Sequence, residues 1–257
     1  MTLHQQWVAF LTIVTKEVRR FLRIWPQTLL PPAITMTLYF VIFGNLVGSR
    51  IGEMGGFDYM QYIVPGLIMM SVIQNAFANS ASSLTQSKIM GNVVFILLPP
   101  LSALEIFLAF TGAAILRALL VGLVLYLVGW LFTPLPVAAP LHALTAAILA
   151  AGCLAVMGII AGILADKFEH MAAFQNYLIM PLSFLSGVFY SVQDLPPFWA
   201  QASAFNPFFY MIDGLRHGFF GYSDAPGWLG LVVVAGFLAL LSAIALTMLA
   251  RGVRLRP

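Results

Sequence analysis

Long apolar runs separated by short charged stretches organise this chain. No charge falls between Arg23 and Arg50, and residues 29–47 predict a first membrane span with Pro31 and Pro32 in its opening turn. About 20 mostly apolar residues suffice to cross the hydrocarbon layer. A second span is centred on 62–81, between Asp58 and Lys88. The apolar stretch from Ile106 to Ala165 is too long for one helix, and Pro134, Pro136 and Pro140 divide it into spans at 103–132 and 141–165. Residues 171–192 and 228–250 complete the set. The pattern predicts an all-α integral membrane protein with six transmembrane helices.

Three segments depart from plain spans. In the first 26 residues, Trp7, Leu11, Val14, Val18, Phe21 or Leu22, and Trp25 recur at helical spacing, while Thr12, Lys16, Arg19, Arg20 and Arg23 take the other face. That is a basic amphipathic helix for the membrane interface, serving either as a lipid anchor or as a dock for a cytoplasmic subunit. Residues 82–100 hold one charge, Lys88, and predict a short cytoplasmic helix near 85–98 that ends at Pro99 and Pro100. The stretch 193–227 carries nine aromatics, interrupted by Pro196, Pro197, Pro207 and Pro226. Asn206-Pro207 has the form of an N-cap and first helical position. The stretch predicts two short helices in a periplasmic re-entrant hairpin, with an interfacial aromatic belt as the alternative.

Composition agrees with a membrane location: 61% of residues are hydrophobic, 8% are charged, and mean hydropathy is +0.96, against roughly 25% charge in soluble chains. The charges also orient the chain. Lys16, Arg19, Arg20, Arg23, Lys88, Lys167, Arg251, Arg254 and Arg256, nine of twelve basic residues, fall on one side of the six spans. Glu53, Asp58, Asp194, Asp213 and Asp224 fall on the other. The positive-inside bias then puts both termini in the cytoplasm. The first apolar span begins too late and runs too long for a cleavable signal peptide, so none is expected.

Two features within the spans bear on packing. Ala151, Ala155, Gly158 and Gly162 form a small-residue stripe suited to close helix approach, within one subunit or between two. Arg117 lies near the middle of the third span and needs a partner, either a structural hydrogen bond or a place in a conduit.

Catalytic chemistry is missing from the sequence. No phosphate-binding loop occurs, since neither Lys16, Lys88 nor Lys167 follows glycine. His4, His142, His170 and His217 lack ligand spacing, and the lone Cys153 builds no metal cluster. The basic residues flank spans and form no nucleic-acid surface. No catalytic, cofactor or metal residue is assigned.

The run from Pro181 through Gly187 to Tyr190, then Leu195-Pro196-Pro197, then Asn206-Pro207 through Tyr210, Asp213 and Arg216, resembles the C-terminal hallmark of ABC-2-type transporter permeases. The resemblance covers essentially 1–257 as a single transmembrane domain. Its parts are an interfacial helix at 1–26, spans one to five over 27–192, the hairpin at 193–227, span six at 228–250 and a basic tail at 251–257. Relatives often carry several charges in the cytoplasmic helix, where this chain has only Lys88. The resemblance implies an exporter permease of the bacterial inner membrane, not itself an enzyme. It further implies a homodimer working with two copies of a separate ATPase subunit that binds ATP and magnesium. The implied cargo is amphipathic, lipid-linked, glycan or drug-like. A secondary transporter is the alternative, although no carboxylate sits near a span centre as that mechanism requires. On this footing Lys16, Arg19, Arg20, Lys88, Val94 and Phe95 are candidates for ATPase coupling. Thr35, Tyr39, Arg117, Gln175, Tyr177, Phe184 and Tyr190 are conduit candidates, and Asn206, Pro207, Asp213 and Arg216 are gate candidates.

Overall fold

The computed structural model describes residues 3–97 and 101–254. Leu98, Pro99 and Pro100 of the predicted cytoplasmic helix and Arg256 of the tail lie outside the described residues. Helix α1 (Leu3–Arg23) is followed after Ile24 by α2 (Trp25–Tyr39), which runs on as a π-helix over Phe40–Gly48 into the short α3 (Ser49–Ile51). Strands β1 (Glu53–Met54) and β2 (Phe57–Asp58) form a small antiparallel hairpin. Its turn glycines Gly55 and Gly56 both have positive φ, 61° and 80°, which favours glycine. Helices α4 (Tyr59–Ile89), α5 (Val93–Leu97), α6 (Ala103–Phe132) and α7 (Pro140–Leu164) follow. Then come α8 (Phe168–Phe174), a π-turn at Gln175–Ile179, α9 (Met180–Phe184), α10 (Pro197–Ala204), α11 (Pro207–Phe220) and α12 (Gly227–Arg251).

Among the described residues, five helices are long and apolar enough to cross a membrane: Trp25–Phe43, Tyr59–Ile89, Ala103–Phe132, Pro140–Leu164 and Gly227–Arg251. Three expectations change. The first span begins at Trp25, so Pro31 and Pro32 lie inside α2 and leave the carbonyls of Gln27 and Thr28 without their usual helical donors. Where a fifth span was expected at 171–192, a helical run of 17 residues joins α8, the π-turn and α9 and stops at Phe184, about 25 Å at helical rise. Beyond it the chain turns through Gly187, whose φ is +72°. Residues 82–89 are not a separate cytoplasmic helix but the last turns of α4. The chain breaks only at Met90–Asn92, leaving the five-residue α5.

Helices α4 and α7 form the centre, each 78% buried across its apolar window, against 17% for α2 and 22% for α6 and α12. The small-residue stripe explains their closeness. A Cβ at Gly158 would fall 2.5 Å from the Phe77 carbonyl oxygen, and one at Gly162 would fall 2.7 Å from the Leu84 Cβ. The stripe therefore packs α7 on α4 within the chain. Helix α11 joins this core: ten of its residues, from Phe208 to Phe219, are buried. A Cβ at Gly218 would meet the Ala143 Cβ at 2.5 Å. The Ala138 and Ala139 N–H groups donate to the Phe219 and Gly218 carbonyls, satisfying its C-terminal end.

Candidate functional site

Polar side chains gather at three places, and each is built around backbone or charge that an apolar bundle must satisfy. The first lies at the end carrying the acidic loops. Residues 185–192 after α9 are mostly non-helical, and such backbone is tolerated among membrane helices only where protein satisfies it. The Arg216 Nη2 donates to the Gly187 carbonyl at 2.6 Å. The Tyr59 hydroxyl donates to the Phe189 carbonyl at 3.2 Å, and the Tyr62 hydroxyl lies 3.5 Å from the Tyr190 carbonyl. The Asp224 carboxylate accepts from the Val192 N–H, the Ser191 hydroxyl and the Tyr222 hydroxyl. On the other flank, Asn206 Nδ2 donates to the Leu182 carbonyl and the Ser186 hydroxyl, and Ser203 donates to the Leu185 carbonyl.

The expected Asp213–Arg216 pair exists within this network. Arg216 Nη1 stands 3.5 Å from Asp213 Oδ1, and the two side chains are 0% and 4% exposed. The guanidinium also lies over the Tyr62 ring, 4.0 Å from its centroid, a cation–π contact strengthened by desolvation. Asp213 in turn accepts the N–H groups of Asp224 and Ala225 at 2.9 Å. Burial pushes the Asp213 carboxyl above the usual carboxylate range, against the pull of the Ala225 N–H and Arg216. Asn206 and Pro207 behave as the sequence implied. The Asn206 side chain accepts the Phe208 N–H at 3.0 Å, and Pro207 opens α11.

The second cluster lies toward the opposite, basic end. Glu17 is fully buried and accepts from the Ser83 hydroxyl at 2.8 Å and the Arg20 Nε at 3.1 Å, with Lys16 Nζ at 3.3 Å. Arg20 extends across to α4, where its Nη2 donates to the carbonyl and side-chain oxygens of Asn79. Arg117 donates to that same Asn79 oxygen and to the Asn75 oxygen, both at 3.3 Å. Arg20 was expected on the outer basic face of α1 with Lys16, Arg19 and Arg23, toward headgroups or a partner; instead it turns inward, because Glu17 and Asn79 offer it acceptors. The apolar stripe of α1 splits as well: Phe21 is buried, whereas Trp7, Leu11, Leu22 and Trp25 stay exposed. Arg117 takes the structural hydrogen bonds that were one of its two alternatives.

Lys88, a candidate for ATPase coupling, is instead engaged within the chain. Its Nζ donates to the Ile163 and Ala165 carbonyls at 2.8 and 2.7 Å and to Asp166 at 3.2 Å. It thereby caps the end of α7, with Arg254 bonded to the Leu164 carbonyl beside it. The hydrogen bond from Lys88 holds the Asp166 carboxyl below its ordinary range. Val94 and Phe95 on α5 project outward, 48% and 71% exposed.

The third place is a groove between α2, α4 and α9, where Thr35, Tyr39, Ser71, Gln74 and Met180 meet. Tyr39 and Phe184 both pack on Phe189, with ring centroids 5.7 and 6.1 Å apart, and the Tyr190 hydroxyl donates to the Phe184 carbonyl. Four conduit candidates, Thr35, Tyr39, Phe184 and Tyr190, are thus drawn together. Gln175 and Tyr177 lie further along the run, Tyr177 at 84% exposure, and Arg117 does not line this groove. Sequence reasoning missed Phe189, Ser71 and Gln74, and missed Glu17, Asn75 and Asn79 in the second cluster. An amide or carboxylate repeating on a buried helical face was the available signal. It also separated His142 from His217, whose rings stand 4.6 Å apart. Among the described residues no group of three or more His, Cys, Asp or Glu side chains could hold a metal.

Comparison with known proteins gives this geometry a context. Residues 8–220 match the model of the ABC-2 type transporter family. The chain is 43% identical over 254 residues to the inner membrane transport permease YadH of Escherichia coli (strain K12), covering 99% of each chain. It is 25% identical over 207 residues to Nodulation protein J of Rhizobium leguminosarum bv. viciae, covering 78% of this chain and 80% of that one.

Proposed function

Because the chain belongs to the ABC-2 type transporter family, we propose that it is the membrane subunit of an exporter driven by ATP hydrolysis in a separate subunit. Family membership makes it a multi-pass inner membrane transport permease that associates with an ABC ATPase. The finer reading is outward movement of an amphipathic, lipid-linked, glycan or drug-like cargo by a homodimer bound to two ATPase subunits, with both termini cytoplasmic. ATP and magnesium belong to the partner.

The groove carries this reading. Thr35, Ser71, Gln74 and Tyr39 present hydroxyl and amide groups in a groove whose other lining side chains, Pro32, Met36, Leu67, Met70 and Met180, are apolar. Polar groups at such depth are costly without a task, and an aromatic wall beside them suits a cargo with both apolar and polar parts. The first span and the broken fifth run, which border it, are also sparsely buried, as surfaces reserved for a second copy are. The 17-residue run and the latched turn after it are then the sixth crossing and the outer closure, with α10 and α11 as the re-entrant hairpin. At the basic end, the exposed Val94 and Phe95 form the surface offered to the ATPase, and Lys88 and Arg20 stand behind it and hold it in place.

Cysteine labelling tests the conduit. Thr35→Cys and Gln74→Cys should react with a membrane-impermeant maleimide at rates that change when ATP is supplied to the complex. Ile34→Cys, on the exposed apolar face of α2, should not change. Equal, ATP-independent rates at all three would place the path elsewhere.

A further inference from the structure

Between α1 and the last turns of α4 lies a crevice of about 530 Å³, lined by Lys16, Arg19, Arg20, Arg23, Ile24 and Gln86. Its charge is unbalanced. The nearest carboxylate, Glu17, is fully buried and already accepts from Ser83, Arg20 and Lys16. Among the described residues, Arg19 and Arg23 have neither an ion pair nor a hydrogen-bond partner. Four cations at helical spacings of three and four repel one another, so the crevice has a standing attraction for an anion.

Two further features narrow the ligand. Arg20 is held by Glu17 on one side and by Asn79 and Ser82 on the other, so one wall of the crevice is fixed before anything binds. An apolar side chain belongs to the lining itself: Ile24, 37% exposed, follows directly on α1, and the chain passes from it into the first span, which opens with Trp25 at 56% exposure. A basic cleft opening onto a hydrocarbon boundary matches an anion that carries acyl chains.

We propose that this crevice is a binding site for the headgroup of an anionic phospholipid, with the phosphate against Arg19, Arg20 and Arg23 and the acyl chains leaving past Ile24 toward Trp25. Bound there, the lipid fastens α1 to α4. Through Arg20 it also adjoins the Asn79–Arg117 bonds that reach the middle of α6. The site requires neither a direction of transport nor a particular cargo, and it can be examined with no ATP and no partner present.

The test uses the full-length chain in detergent, titrated with dansyl-labelled phosphatidylglycerol and read by energy transfer from its tryptophans. Unlabelled phosphatidylglycerol should displace the probe, whereas phosphatidylcholine and inorganic phosphate should not. Arg19→Gln with Arg23→Gln should weaken binding about thirty-fold, the factor that two surface charges carry. Arg50→Gln, an exposed arginine outside the crevice, should bind as the unaltered chain does. Equal displacement by phosphatidylcholine would overturn the proposal by making the site one for acyl chains alone. Equal displacement by inorganic phosphate would overturn it in favour of a soluble anion. Unchanged lipid affinity in the double variant, with loss of ATPase assembly, would reassign the crevice to an acidic partner protein. The two competition outcomes are read on the unaltered chain, so they decide the matter even if the double variant does not fold.

Discussion

Arg216 donates a hydrogen bond of 2.6 Å to the backbone carbonyl of Gly187, joining α11 to a turn 29 residues earlier. That carbonyl lies beyond the end of α9, so no backbone donor of its own helix reaches it. The guanidinium serves it while lying over Tyr62 and beside Asp213. One side chain therefore ties together the turn, α11 and the central helix α4.

Removing one member of this buried pair strands the other. Arg216→Ala should destabilise the chain by about 3–5 kcal/mol, read as lost thermal stability in detergent. Asp213→Ala combined with Arg216→Ala should cost less than the sum of the single changes. Strict additivity in this double-mutant cycle would remove the pair from the account, and the Gly187 bond would then explain Arg216 alone.

Asn79 has a comparable role at the other end, because one oxygen serves both Arg20 and Arg117. Asn79→Leu should cost about 1–3 kcal/mol by leaving buried donors unmatched. Asn79→Asp should retain most of the stability, since a carboxylate can accept from both arginines. Equal losses in the two variants would show that shape rather than hydrogen bonding matters there.

Lys88 and Phe95 should separate stability from assembly. Lys88→Glu sets a carboxylate against two carbonyls and Asp166 and should lower the melting temperature. Phe95→Glu changes an exposed side chain and should leave melting within experimental scatter while reducing co-purification of the ATPase. The reverse pattern would exchange their roles.

Asp166 supplies a pH dependence. Its pKa is lowered in the folded chain, first by the hydrogen bond from Lys88. Its contribution is thus fully present above the unfolded value of about 3.9 and disappears as pH falls through the lower folded value. Melting temperatures of Asp166→Asn and the unaltered chain should differ slightly above pH 4 and converge below it. A gap that widens on acidification would contradict this assignment.

The sequence made the long helices legible because a membrane imposes one length and one polarity on them. The third span, 103–132, coincides with α6, and the N-cap at Asn206 was readable from two residues. The fifth run was not legible in the same way. Apolar composition continues past Phe184, and what ends the helix is a turn held by Arg216, Tyr59 and Asp224 from distant segments. Arg20 was assigned to the outer basic face of α1 because periodicity counts a charge as polar wherever it lies. Glu17 and Asn79, far apart in sequence, reverse that assignment only once α1 rests against α4. The two-stranded hairpin at 53–58 escaped an all-α reading because its signal is just two glycines.

The most direct measurement of the central claim is ATP hydrolysis by the tagged full-length chain, purified from native membranes with whatever ABC ATPase accompanies it and then again after that ATPase is stripped away. The account predicts hydrolysis in the complex, its loss when the phosphate-binding lysine of the ATPase is replaced, and none from the stripped chain, which has no phosphate-binding loop. Hydrolysis by the stripped chain, or purification with no ABC ATPase alongside transport driven by a proton gradient, would contradict it.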